Sequence, residues 1–242
     1  MCRVRELWST DRSFCVIGNM PRALMEKEIT ALKLQKKNRR RVSVYLDGEY
    51  AFGLQASIAD PLREGQRLSP EEIEQLQRRD SVEIAHDRAL RFLSYRPRSC
   101  AEIKNYLERR KVPSPIALLT VDRLTETGLV DDEAFARYWV ENREAFRPRG
   151  KRSLRFELRN KGVPDAIIDH AVEDVDEYKS AERAARDRAR RLSQLDYQTF
   201  RRRLGGFLQR RGFDYGIVKE TVNRLWQETQ TVTEEETFDR PI

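Results

Sequence analysis

Cysteine, histidine and long apolar runs are scarce in this chain, and each scarcity removes a class of protein. The three cysteines, Cys2, Cys15 and Cys100, have no paired spacing. That pattern argues against a disulfide framework or a zinc site and makes a reducing, cytoplasmic setting the expectation. His86 and His170 are the only histidines, too few and too isolated for a histidine-based metal or nucleophile site. There is no Walker lysine motif and no glycine-rich nucleotide loop. The acidic run Asp131-Asp132-Glu133 reads as a helix start more readily than as metal ligands. No catalytic residue, cofactor or metal is therefore expected, and the chain reads as a non-enzyme. No stretch approaches the roughly 20 apolar residues that span a bilayer, and no signal-peptide core precedes a cleavage site, so no membrane association is expected.

Charge is abundant instead. Charged residues make up 36% of the 242 positions and hydrophobic ones 39%, against roughly a quarter and a half in ordinary domains. This balance favours a surface-rich helical protein over a compact sphere. The net charge of +7 sets 47 Lys+Arg against 40 Asp+Glu, and arginine dominates the basic set. Guanidinium forks match phosphate and carboxylate oxygens two at a time, so a nucleic acid or an acidic protein surface is the expected partner. Ion pairs along solvated helix faces account for part of this charge but not for its clusters.

Residues 1–26 show no sustained period and read as a flexible leader, with Met20 and Met25 as candidate starts beside Met1. Residues 27–80 read as a small β-sheet plus helix. Ile29–Leu34, Val42–Leu46 and Tyr50–Leu54 alternate with period two, and Asp47-Gly48 between the last two predicts a hairpin with a type I′ turn. Three short strands alone are marginal, so the Val42, Val44 and Leu46 face needs a covering helix. Ser69-Pro70-Glu71-Glu72 is a helix start with a capping box, and helix is then expected to Glu228. Residues 229–242, with Glu234, Glu235, Glu236 and Asp239, read as an acidic disordered tail.

The helical part repeats. Alignment on Leu107, Leu158 and Leu208, spaced 51 and 50 residues apart by subtraction, brings three segments into register. Ile103, Leu154 and Leu204 then match, as do Val112, Val163 and Phe213, then Ile116, Ile167 and Ile217, then Val121, Val172 and Val222. These apolar positions recur at helical intervals and form the expected core. The fold class is thus mainly α: three tandem three-helix units, 81–130, 131–176 and 177–228, after a small three-stranded β-element. In the first unit the helices are expected at Val82–Tyr95, Cys100–Arg110 and Ser114–Thr127. Gly162 and Gly212 suit the left-handed residue that ends a helix, and Lys111 departs from that rule at some cost in strain. Arg96-Pro97-Arg98-Ser99 and Arg147-Pro148-Arg149-Gly150 occupy one offset in the first two units. Ser99 is an expected N-cap whose box Glu102 closes. The third unit lacks the element and opens with an arginine-heavy run.

The candidate binding residues follow from these clusters. Arg147, Arg149, Lys151, Arg152 and Arg155 crowd around one helix start, where backbone N–H groups favour an anion. Arg96 and Arg98 hold the matching place in the first unit. Arg109, Arg110 and Lys111 form another exposed patch, as do Lys161 and, with Arg201 to Arg203 nearby, Arg210 and Arg211. The competing reading is that these side chains tie helix ends together through carbonyls and carboxylates. Tyr95, Tyr106, Tyr138 and Trp139 offer stacking surfaces but at helical spacing are more often core, Trp139 above all.

YLDGEYAFG, LSYRPRS, LVDDEAFARYWVENR, RPRGKRSLRFELRNKGV and QRRGFDYGIV resemble the RecX family, from about Ile29 to Glu228. The resemblance implies an elongated, curved tandem repeat, monomeric by expectation, that lies in the groove of the RecA–DNA filament. It also implies restraint of the ATPase, strand exchange and repressor-cleavage coactivation of RecA during DNA repair, recombination and the SOS response. The alternative is a helical nucleic-acid-binding module that acts without RecA.

Overall fold

A computed structural model of the chain describes residues 26–36 and 38–238, with side chains through residue 230. The expected leader, with the choice among Met1, Met20 and Met25, lies outside the described residues apart from Glu26. The chain divides into two compact units between Ser81 and Val82.

The first unit is built on β1 (Lys27–Leu34), β2 (Arg41–Leu46) and β3 (Glu49–Gln55), followed by the short α1 (Ala56–Ala59), β4 (Arg67–Leu68) and the start of α2 (Pro70–Leu93). The sheet order is β3-β2-β1-β4, all antiparallel. Asp47 and Gly48 both take positive φ, 51° and 89°, as a type I′ turn requires. The sheet has four strands, one more than expected, because a two-residue strand is too short to display a period. Val42, Val44 and Leu46 are buried and form one cluster with Leu54, Leu68 and Leu76, against which Ile73 packs. The covering helix is α2. Ser69 and Glu72 close its capping box reciprocally, at 3.2 and 2.8 Å. Asp80 on the same helix is buried, receives Arg41 Nη2 at 2.9 Å and accepts the Gln55 N–H at 2.7 Å.

The second unit contains the rest of α2, then α3 (Cys100–Arg109), α4 (Ser114–Glu126), α5 (Asp132–Phe146), α6 (Lys151–Asn160), α7 (Asp165–Glu173), α8 (Glu177–Leu192), α9 (Tyr197–Arg210) and α10 (Tyr215–Phe238). The helix expected from Val82 is not a separate element. No glycine or proline interrupts residues 71–93, so α2 runs unbroken for 24 residues. Three clusters of buried side chains correspond to the three sequence units. Leu107, Leu158 and Leu208 are all fully buried, as are Ile103, Leu154 and Leu204; each such burial is worth about 1.5–3 kcal/mol. Ile116, Ile167 and Ile217 are only half-buried. The next residues, Ala117, Ile168 and Val218, face the core.

The helix-ending turn is the same in all three copies. Lys111, Gly162 and Gly212 have φ of 61°, 73° and 83°. The following N–H, of Val112, Val163 or Phe213, donates back to the anchor leucine carbonyl at 3.1, 3.2 or 3.4 Å, which satisfies a carbonyl the helix leaves open. At the other end, α10 continues to Phe238, so residues 229–238 are helical and not a disordered tail. A helix already nucleated by packed turns extends at little cost through glutamates, which are good helix formers.

Candidate functional site

Within residues 82–242, the first two three-helix repeats each join the next through the start of their middle helix. In the first joint Ser99 caps α3 by accepting the Glu102 N–H at 3.1 Å, and its Oγ donates to the Lys161 carbonyl at 2.5 Å. The Cys100 N–H donates to Asp132 at 2.9 Å. Glu102 does not turn back to close a capping box as expected; it accepts Arg96 at 2.8 Å and Lys161 Nζ at 2.7 Å. Burial pushes the Glu102 carboxyl up, but these hydrogen bonds and charges outweigh it and hold it below its ordinary value. Arg98 lies 3.8 Å over Phe92, Phe92 stacks on Tyr106 at 4.1 Å, and Arg110 lies 5.0 Å over Tyr106. Burial, then the neighbouring Arg96, lowers the Arg98 pKa, and its Nε is buried without a hydrogen-bond partner.

The second joint repeats the geometry at closer range. The Gly150 N–H donates to the Arg211 carbonyl at 3.0 Å, and a Cβ on Gly150 would stand 2.1 Å from the Gly212 oxygen. Here only glycine fits. Arg211 Nη1 donates to the Pro148 carbonyl at 3.1 Å, and its guanidinium lies 4.6 Å from the centre of the Phe207 ring, which Arg188 also approaches at 4.8 Å. Burial lowers the Arg211 pKa, and repulsion from Arg149, Arg147 and Arg188 lowers it further. The Lys151 N–H donates to Glu177 at 2.7 Å. That backbone donor, expected to await an external anion, is thus answered by the next unit's carboxylate. Lys151 Nζ donates to the Glu173 carbonyl at 2.8 Å.

Several candidate cations therefore serve the fold. Arg149 pairs with Glu157 at 3.1 Å, beside Arg143 at 2.7 Å and the Trp139 Nε1 donor at 2.9 Å. Arg155 bridges to Asp169 at 2.9 Å. Arg109, Lys111, Arg147, Arg152 and Arg210 are exposed, and their side chains have no ion-pair or hydrogen-bond partner among the described residues. Arg152, Ser153, Phe156, Arg210 and Tyr215 line an open cleft of about 620 Å³; Tyr215, Arg201 and Arg202 also line a second of about 650 Å³ on α9 and α10. Trp139 is half-buried against the core of its unit, whereas Tyr95 is 83% exposed, because it follows the last turn of α2 and packs on no core. Sequence reasoning missed Arg188, Phe156 and Tyr215. The repeat register held the signal for the last two, since they stand where the preceding unit has Asn105 and Asp165.

Among the described residues no helix is long and apolar enough to cross a membrane. Four family models match the chain: the RecX N-terminal domain at residues 27–67 and the first, second and third RecX three-helix domains at 85–124, 131–172 and 174–222. The chain is 41% identical over 148 residues to a regulatory protein RecX of Mycobacterium sp. (strain JLS), covering 58% of this chain and 80% of that protein. A regulatory protein RecX of Bacillus subtilis (strain 168) is 29% identical over 213 residues, 86% and 81% of the two chains. A crystal structure of regulatory protein RecX superposes with a TM-score of 0.67 at 25% identity, over 81% of this chain and 99% of the other. The N-terminal domain and the three three-helix domains match in order along the chain, and this chain belongs to the RecX family of regulatory proteins.

Proposed function

We propose that this protein binds the RecA recombinase filament along its groove and inhibits ATP hydrolysis, strand exchange and coprotease activity in DNA repair, recombination and the SOS response. It acts in the cytoplasm, as a monomer and without chemistry of its own. Family membership carries the reading. The exposed arginines at the joints supply the contacts: Arg147, Arg152 and Arg210 have no carboxylate of their own among the described residues and suit acidic subunit surfaces or DNA phosphates. Purified protein added at substoichiometric amounts to RecA on single-stranded DNA lowers ATP turnover; unchanged turnover at saturating protein overturns the reading.

A second reading, nucleic-acid binding independent of RecA, is favoured by the cleft that places Phe156 and Tyr215 beside Arg152 and Arg210. Its basic residues sit at several helix ends and not on one recognition helix, which fits backbone tracking better than base-sequence readout. Weak binding that falls steeply with salt is its expected signature.

A further inference from the structure

The first joint serves as an internal control for the second, because the two occupy the same register positions in successive three-helix units and differ in charge. On the middle helix, Ala101, Glu102 and Asn105 of the first joint become Arg152, Ser153 and Phe156. On the facing turn, Asn160, Lys161 and Asp165 become Arg210, Arg211 and Tyr215. The two arginines of the RPR element stay in place. Both carboxylates at these six positions are thus lost, three arginines stand where there was one lysine, and two aromatic rings appear. Asp214, where the first joint has Pro164, is the one carboxylate among the described residues that line the cleft.

In the first joint Glu102 takes both Arg96 and Lys161. Ser153 cannot do the same for Arg147 and Arg211. Arg147 is left without a partner among the described residues, and Arg211 has only a carbonyl and a ring face. Of these cations only Arg211 is half-buried, and burial together with repulsion from Arg149 and Arg147 acts against its charge, a cost that a bound anion would offset. The rings beside them are not core. Phe156 is 65% and Tyr215 63% exposed, an arrangement that costs apolar hydration and gains nothing in the free protein.

We propose that the joint between the second and third units is a single-stranded nucleic-acid site, in which Arg147, Arg152, Arg210 and Arg211 bind phosphodiester oxygens while Phe156 and Tyr215 stack on unpaired bases. Exposed rings beside unpaired arginines match a strand that offers both phosphates and open base faces. A duplex hides those faces, and an acidic peptide has none. The site deepens the nucleic-acid part of the reading above but needs no recombinase.

Fluorescence anisotropy of the full chain with a labelled mixed-sequence single-stranded oligonucleotide, titrated across salt without RecA, tests it. S153E installs the carboxylate of the first joint. It weakens binding about tenfold at low salt and flattens the slope of log affinity against log salt by about one to two, with a melting temperature at or above that of the parent. F156A/Y215A weakens binding at least about fivefold with the salt slope unchanged. R147A/R152A, both at exposed positions, gives the phosphate result again should S153E fold poorly. Affinity within twofold of the parent in the aromatic variant and in either charge variant overturns the proposal, as does tighter binding to the duplex of the same sequence or equal competition by a glutamate-rich peptide. None of these outcomes alters the ATPase test, so the two readings fail separately.

Discussion

Lys111 carries a left-handed backbone at φ 61°, where the later units place Gly162 and Gly212. A Cβ there crowds the following carbonyl at a cost of about 1–2 kcal/mol, part of which glycine returns as unfolded-state entropy. Lys111→Gly therefore stabilises by about 1 kcal/mol in denaturant melts; an unchanged midpoint sinks this account. Glu102 has the opposite sensitivity. Its carboxyl is held below the ordinary value of 4.5 by Arg96 and Lys161 against the pull of burial. A group depressed on folding contributes stability that is complete above its unfolded pKa and is lost as pH falls through the folded one. The first joint thus weakens below about pH 4.5, and Glu102→Gln, which has no charge to lose, flattens that part of the stability profile measured by circular dichroism. Asp80 was not legible as a partner of Arg41, 39 residues away; Asp80→Ala costs about 1.5–3 kcal/mol, because a charged hydrogen-bond network is left without its acceptor.

At the scale of elements, the joints are where helix starts meet helix ends. In the first, a serine side chain bridges the gap to Lys161; in the second, a glycine lets the backbones touch. The two positions respond differently to alanine. Ser99→Ala loses a cap and one hydrogen bond between units, about 1–2 kcal/mol. Gly150→Ala forces a methyl onto the Gly212 carbonyl, main chain that cannot rotate away, and costs about 1–3 kcal/mol or more. Faster hydrogen exchange at the starts of α6 and α10 in that variant, with α3 unaffected, locates the damage. The repeat register made these helix ends visible in advance. It did not show that Asp132 and Glu177 take the N–H groups of Cys100 and Lys151, since such a bond joins residues from different units and leaves no period.

At the scale of the molecule, three small cores joined by backbone contacts make a surface on which exposed arginines recur. Replacing Arg147, Arg149, Lys151 and Arg152 together by alanine lowers inhibition of RecA-dependent ATP hydrolysis. Arg147 and Arg152 carry that effect, because Arg149 and Lys151 are already engaged by Glu157 and the Glu173 carbonyl. The Arg147/Arg152 pair alone therefore reproduces most of the loss, with the melt unchanged because exposed substitutions seldom cost much. Full inhibition by the four-residue variant moves the contact elsewhere on the chain.

The sequence by itself determined the three units, their core leucines, the hairpin turn and the left-handed residue that ends each middle helix. Each follows from local chemistry: period, capping, or the φ a turn demands. Tertiary structure alone decided which arginines are spent. Arg96, Arg149 and Arg155 look like Arg147, Arg152 and Arg210 in one dimension, and only the carboxylates brought up by neighbouring helices separate the two sets. Burial and pairing are properties of distance, and distance between units is set by how Ser99 and Gly150 let them pack.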